Sequence, residues 1–236
     1  MQNINKKDYS GLNELLSIEK YMPNYNAYIM QLCSELTKNK STVVDFGAGI
    51  GTLSLIYKNL YNKKPICVEI DKTNIQQLEN KGLRVFEKIT DIPGFIDFVF
   101  SSNVLEHIED DTRTLKLIRQ KLSNNGVLYL YLPAHEILRS KLDETVGHYR
   151  RYSKADILSK LKSSGFVVTK IHYADSVGFF ITLLTKFFNY NPVSDTGSAT
   201  SLRIYDKYIL PLSKLIDNLG GKYLTGKNIV VCAKKS

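Results

Sequence analysis

In "VVDFGAGIGTLS" (43–54), Gly47, Gly49 and Gly51 alternate with Ala48 and Ile50, and Asp45 stands two positions before the first glycine. Glycines there let a backbone turn sharply and let a ligand approach the main chain. A dinucleotide site would want G-x-G-x-x-G, with a pyrophosphate at the following helix N-terminus. Here the spacing is G-x-G-x-G, and an acid beside the loop repels a pyrophosphate. It suits a cationic group such as an amino-acid ammonium or a sulfonium. About twenty residues further on, "VEID" brings Glu69, where an acid can hydrogen-bond the two hydroxyls of a ribose. Asp71 is a second candidate.

"DETVGHYRRYS" (143–153) is the other reactive stretch. It holds Asp143, His148, Tyr149, Arg150, Arg151 and Tyr152, with Gly147 ahead of them and Ser153 behind. An imidazole transfers protons near neutrality, and adjacent guanidiniums can grip a phosphate or carboxylate with paired hydrogen bonds. The plainer alternative is that Asp143 pairs with an arginine and the tyrosine rings pack the segment down. His107, in "LEHI", either stands near the reacting group or bridges to the next segment. His135 and His172 are weaker candidates, the latter lying within a predicted strand.

Elements must position these groups. Apolar runs at 41–46, 65–70, 83–88, 95–101 and 126–133 read as buried strands. Helical patterns near 52–61, 73–81 and 112–122 separate them, the last starting after "EDD" and stopping at "KLSNNG". This alternation predicts an α/β fold: a Rossmann-like, doubly wound, mostly parallel seven-stranded sheet with helices on both faces. A polar connector (134–153) leads into a helix capped by Ser153 and ended by Gly165. Strands at 166–173 and 227–235 follow, with a helical insertion at about 175–224 between them, longer than ordinary connections. One domain is expected: a helical cap over 1–40, a cofactor-binding half over 41–133 and a substrate-side half over 134–236.

Acid, three glycines, helix, strand and second acid, in that order, resemble the class I S-adenosylmethionine-dependent methyltransferases over roughly 21–173 and the terminal strand. The resemblance implies that Gly47, Ala48, Gly49 and Gly51 line the methionine part of the cofactor, with Asp45 supporting the loop or the ammonium. It implies that Glu69 holds the ribose, Ile70 packs on the adenine, and Ser102 and Asn103 face the reacting methyl. Where that family often places an adenine-binding Asp, this chain has Lys88, which cannot accept the bond. Glu87 or the backbone around Ile89 is the substitute. "NVLEHIEDD" and the Gly-His-x-Arg-Arg-Tyr run further resemble a bacterial subgroup associated with cell-envelope polysaccharide genes. That match implicates Asp143, His148, Arg150, Arg151 and Tyr152 at the acceptor.

Methyl transfer needs no metal and no enzyme nucleophile, and positioning can supply ~7–11 kcal/mol. For a hydroxyl acceptor, His148 is the first candidate base and His107 the second, with Asp143, Tyr149, Arg150 and Arg151 as acceptor contacts. No Asn/Asp-Pro-Pro-aromatic motif follows the fourth strand, which argues against amino-methylation of nucleobases. No Cys near the fourth or fifth strand end argues against a covalent cytosine adduct. Cys33, Cys67 and Cys232 suggest neither zinc nor a disulfide framework and fit a reducing cytoplasm. "MQNINKKDYSG" has no signal-peptide core, and "VGFFITLLTKFF" is too short to span a bilayer. The expected acceptor is a small or lipid-linked envelope metabolite, with peripheral contact at the inner membrane face through the aromatic insertion. The net charge of +9 raises a tRNA or rRNA methyltransferase as the alternative. A catalytically inactive, cofactor-binding scaffold is the third reading.

Overall fold

The computed structural model describes residues 11–37, 40–187 and 198–235. Seven strands form one sheet in the order β3-β2-β1-β4-β5-β7-β6. They are β1 (Val43–Phe46), β2 (Ile66–Val68), β3 (Arg84–Phe86), β4 (Ile96–Ser102), β5 (Leu122–Pro133), β6 (Phe166–Ala174) and β7 (Asn228–Lys235). The ladders from β3 through β5 are parallel, and β7 runs antiparallel to both β5 and β6.

Alternation along the strands decides what each face buries. On β5, Leu128, Leu130 and Leu132 enter one core, and Val127, Tyr129 and Tyr131 enter the other. The leucine face is covered by α5 (Asp111–Lys121) and α7 (Lys154–Ser163), through Leu115, Ile118, Ile157 and Leu161. The tyrosine face is covered by α2 (Pro23–Leu32) and α3 (Thr52–Tyr61), through Tyr28, Ile29, Met30 and Tyr57. Each fully buried Leu or Phe here contributes roughly 1.5–3 kcal/mol. A bulge between Ile96 and Phe98 reverses the alternation on β4, so Ile96 joins the leucine face and Phe98 the tyrosine face.

Local signals set the helix starts. Asp71 caps α4 (Lys72–Asn80) by accepting from the Asn74 amide. Asp110 caps α5 by accepting from Arg113, and Ser153 caps α7 by accepting from Asp156. The fifth strand begins at Leu122, four residues before the sequence expectation of 126. "NNG" looks like a turn, but Leu122 pairs with Ile96 and is fully buried, and tertiary pairing overrides the local signal.

The described part of the insertion is helical. It comprises α8 (Ser176–Phe187) and, after residues 188–197, which lie outside the described residues, α9 (Ser198–Ile204) and α10 (Leu210–Ile216), with π-helical turns around α10. The N-terminal expectation also falls partly on residues 1–10, outside the described residues. Beyond them, α1 (Leu12–Tyr21) precedes α2, and the short α6 (Lys141–Thr145) lies in the connector after β5.

Candidate active site

The glycine loop leaves the carboxyl end of β1 and enters α3. Gly47, Gly49 and Gly51 all have positive φ (77°, 53° and 87°), which is why the sequence needs glycine there. At Gly47 space is closed as well, because a Cβ would lie 2.3 Å from Val104. The Gly47 and Ala48 amides both donate to the Val68 carbonyl, tying the loop to β2. A Cβ on Gly49 would stand 3.1 Å from Leu15, so α1 roofs this side of the loop. Glu19 on α1 accepts from Thr52 and Lys81, holding that roof in place.

Asp45 is buried beneath the loop and accepts from the Ser54 hydroxyl at 2.7 Å. Burial, opposed by the Ser54 bond and aided by the charge of Glu69, pushes its pKa up to about 7. It supports the loop from below rather than lining its open side. Glu69 is buried at the end of β2. Its Oε1 accepts from the Ile70 and Asp71 amides and its Oε2 from Gly49. A carboxylate has about four acceptor sites, so roughly one remains for a diol hydroxyl.

Ile70 is 80% exposed beside Glu69. Ile89, by contrast, is buried within the leucine-face core, so only its backbone can meet an adenine. Glu87 and Lys88 are both exposed. At the end of β4, Ser102 is partly buried, and Asn103 is exposed with a positive φ of 53°. The Asn103 amide donates to Tyr131, which fixes this turn to β5. Glycine cradle, acid and apolar cover therefore stand together along the carboxyl ends of β1, β2 and β4. Open α/β sheets bind ligands there, and the set fits a nucleoside carrying a cationic amino-acid arm.

The connector 134–153 loops out from β5 and returns beside it. Tyr152 bridges to Ala134, its amide donates to Pro133, and its carbonyl accepts from His135. Fully buried, Tyr152 donates its hydroxyl to Asp111, which also receives Lys160 at 2.9 Å and Arg150 at 2.7 Å. Burial alone would raise the Asp111 pKa, but these three donors hold it below the usual carboxylate range.

Arg150 and Arg151, expected as acceptor contacts with pairing to Asp143 as the plainer alternative, both have partners within the chain. Arg151 donates Nε and Nη2 to the two oxygens of buried Asp143, at 2.9 and 3.1 Å. Arg150 also donates Nη2 to the Glu109 carbonyl. Asp143 likewise faces inward, taking the His148 Nδ1–H at 2.7 Å and the Ser140 amide and hydroxyl. Burial favours its neutral form, yet His148 and Arg151 outweigh it and keep Asp143 ionised well below the ordinary range. Tyr149 stays 43% exposed.

His148 and His107 do come together. Their rings meet edge to face with centroids 4.5 Å apart. His107 is exposed as a residue. Desolvation of the ring, with His148 beside it, still pushes its pKa down to about 4. Sequence reasoning missed the third member, Glu106. Its side chain is fully buried, its carboxylate lies 3.9 Å from His148 Nε2, and neither oxygen has a hydrogen-bond partner among the described residues. Desolvation raises its pKa to about 8, against the pull of its own backbone amide and of the Arg151 charge. The signal was present as a Glu-His pair at a strand end with a second His in the connector. Only folding reveals that Glu106 turns inward. Elsewhere, His172 is buried in β6, and His135 stacks on Tyr173, both packing roles. All three cysteines are free and buried.

A doubly wound sheet with a ligand cradle at its carboxyl edge defines the class. The family follows from comparison: residues 18–171 match the family described as a methyltransferase domain, and the chain belongs to it. The fold is similar to a SAM-dependent methyltransferase from Thermotoga maritima (TM-score 0.65, 15% identity), covering 98% of this chain and 97% of that one. An Archaeoglobus fulgidus SAM-dependent methyltransferase gives TM-score 0.63 and 18% identity over 94% and 99%. An O-methyltransferase from a Brevibacillus brevis polyketide multienzyme, in complex with S-adenosyl-L-homocysteine, gives 0.55 and 18% over 98% and 77%. A search of curated proteins finds no match to the chain.

Proposed function

We propose that this protein is an S-adenosylmethionine-dependent methyltransferase acting on a small or lipid-linked hydroxyl or amine acceptor. The observation that carries the reading is the juxtaposition of the Gly47–Gly51 cradle, Glu69 and exposed Ile70 at one sheet edge, in a chain of the methyltransferase-domain family. When bound, the cofactor supplies a methyl group already activated on a sulfonium. Gly47, Ala48, Gly49 and Gly51 admit its amino-acid arm against the backbone, and Glu69 takes a ribose hydroxyl. Ile70 covers the base, while Ser102 and Asn103 rim the methyl. Tyr149 and His107, both exposed, line the acceptor side, and His148, oriented by Asp143, accepts the acceptor's proton. Asp143 and Arg151 act as positioning residues, and Arg150 braces the strap on Asp111. Product S-adenosyl-L-homocysteine occupies the same cradle.

The insertion favours an apolar or lipid-linked acceptor. Ile204, Tyr208, Leu212, Leu215, Leu219 and Tyr223 are all 47% exposed or more, at helical spacing, with Lys207, Lys214 and Lys222 interleaved. No helix among the described residues is long and apolar enough to cross a membrane. Such a stripe suits peripheral contact with an anionic surface. The test is turnover with labelled S-adenosylmethionine against hydroxyl and amine acceptor panels, including lipid extracts. Transfer to RNA alone would replace this acceptor reading with the nucleic-acid one. Cofactor binding without transfer to any acceptor would favour the scaffold.

A further inference from the structure

We propose that Glu106, His107 and His148 form a binding site for one divalent first-row transition cation beside the methyl-transfer centre. The inference deepens the methyltransferase reading and rests on it for the site's catalytic purpose, though not for the binding itself. One carboxylate and two imidazoles offer ligand atoms that all lie within 4.8 Å of one another. A bound zinc with ligand bonds of about 2.0–2.1 Å would draw such atoms to roughly 3.3 Å apart, a closure within the reach of side-chain rotation. Two histidines and one carboxylate are a common donor set for catalytic zinc and for ferrous centres, with positions left open.

Three further observations point to a ligand rather than to incidental proximity. First, both Glu106 oxygens are buried and unpartnered among the described residues, which is costly for a carboxyl group in a folded interior. Second, the outer partner is that of a metal site. Asp143 accepts from His148 Nδ1, fixing the tautomer that leaves Nε2 free on the Glu106 side. Third, the backbone prepares the cluster. Glu106 and His107 share the single turn Leu105–His107, and the Tyr149 amide donates to the Glu106 carbonyl, pinning the His148 segment against that turn.

The location gives the cation a task. Val104, two residues before Glu106, packs against Gly47 of the cradle, so the two sites adjoin. His107 is exposed, leaving the cluster open to an incoming acceptor. A cation there lowers the pKa of a hydroxyl entering its open position; with Nε2 of His148 bound to the cation and Nδ1 to Asp143, the cation takes over the activating role given to His148 above, and the hydroxyl's proton passes to solvent. The oxygen then bonds to the methyl carbon as the carbon–sulfur bond breaks, its electron pair staying on sulfur.

The test uses tag-free full-length protein, stripped with a chelator, titrated with Zn2+ by calorimetry and with Co2+ by visible absorption. One Zn2+ per chain is expected, with Co2+ giving d–d bands of a low-coordinate site. His107→Ala and Glu106→Gln should each weaken Zn2+ binding by 100-fold or more, and Asp143→Asn by about 10–100-fold. Circular dichroism and thermal melting establish that each variant is folded, and exposed His107 gives the variant least prone to misfold. Wild-type protein that binds no Zn2+, or binds it equally well as folded His107→Ala, overturns the site. S-Adenosylmethionine titrated into the same stripped protein separates the two readings. Cofactor binding without Zn2+ binding rejects the metal site alone, and Zn2+ binding without cofactor binding rejects the methyltransferase reading alone.

Discussion

At the scale of the residue, two glycines make opposite use of the same backbone angle. Gly47 and Gly147 have φ of 77° and 80°, but only Gly47 has a neighbour, Val104, where a Cβ would go. Gly147→Ala is expected to cost about 1–2 kcal/mol from the left-handed backbone alone. Gly47→Ala adds the Val104 clash and should also abolish cofactor binding. Thermal melts with and without S-adenosylmethionine read both effects, and equal behaviour of the two variants would contradict the cradle.

Asp45 yields a pH prediction. Its folded pKa is raised above the unfolded value, so its contribution is full below about pH 4 and is lost as pH rises towards about 7. Asp45→Asn should remove that loss, and its melting temperature should gain on the wild type across this window. A constant difference between the two proteins would reject a buried, titrating Asp45. The glycines and acids were legible in the sequence because their signal is local and ordered. Glu106 was not, since its meaning comes from burial, and a Glu in "LEHIEDD" looks like one more surface acid.

At the scale of the element, the connector after β5 is a strap that Arg151 braces internally on Asp143 and that Tyr152 and Arg150 fasten to Asp111. Arg151→Ala breaks a nearly dry pair and leaves Asp143 buried, which should cost about 3–5 kcal/mol. Tyr152→Phe removes one buried hydrogen bond and should cost about 1–3 kcal/mol. Chemical denaturation measures both, and a larger loss for Tyr152→Phe would reverse the assigned anchors. The sequence located the strap by its position after a strand. It did not tell a ligand clamp from an internal brace, because either use needs Arg and Asp in the same segment. The partners are set by contacts across 41 residues, such as Tyr152 to Asp111, which no local spacing encodes. The early start of β5 is a second case, decided by Ile96 rather than by the turn-like "NNG".

At the scale of the whole molecule, the strand order places every candidate cofactor contact at one edge and sends the insertion between β6 and β7. This much was legible from alternation of apolar strands with helices, because a parallel sheet covered on both faces leaves few topologies. The net charge of +9 and the exposed stripe from Ile204 to Tyr223 predict co-sedimentation with phosphatidylglycerol vesicles that weakens with salt. Leu212→Glu with Leu219→Glu should abolish it, and no sedimentation of the wild type would remove the membrane from the account.

The central claim is tested most directly by calorimetry of S-adenosylmethionine and S-adenosyl-L-homocysteine with the purified protein. One site per chain is predicted for each ligand. Affinity should fall about 10–100-fold in Glu69→Gln, the loss of a charged hydrogen bond worth about 1.5–3 kcal/mol. Absence of binding in the folded wild type, or unchanged affinity in Glu69→Gln, would contradict it.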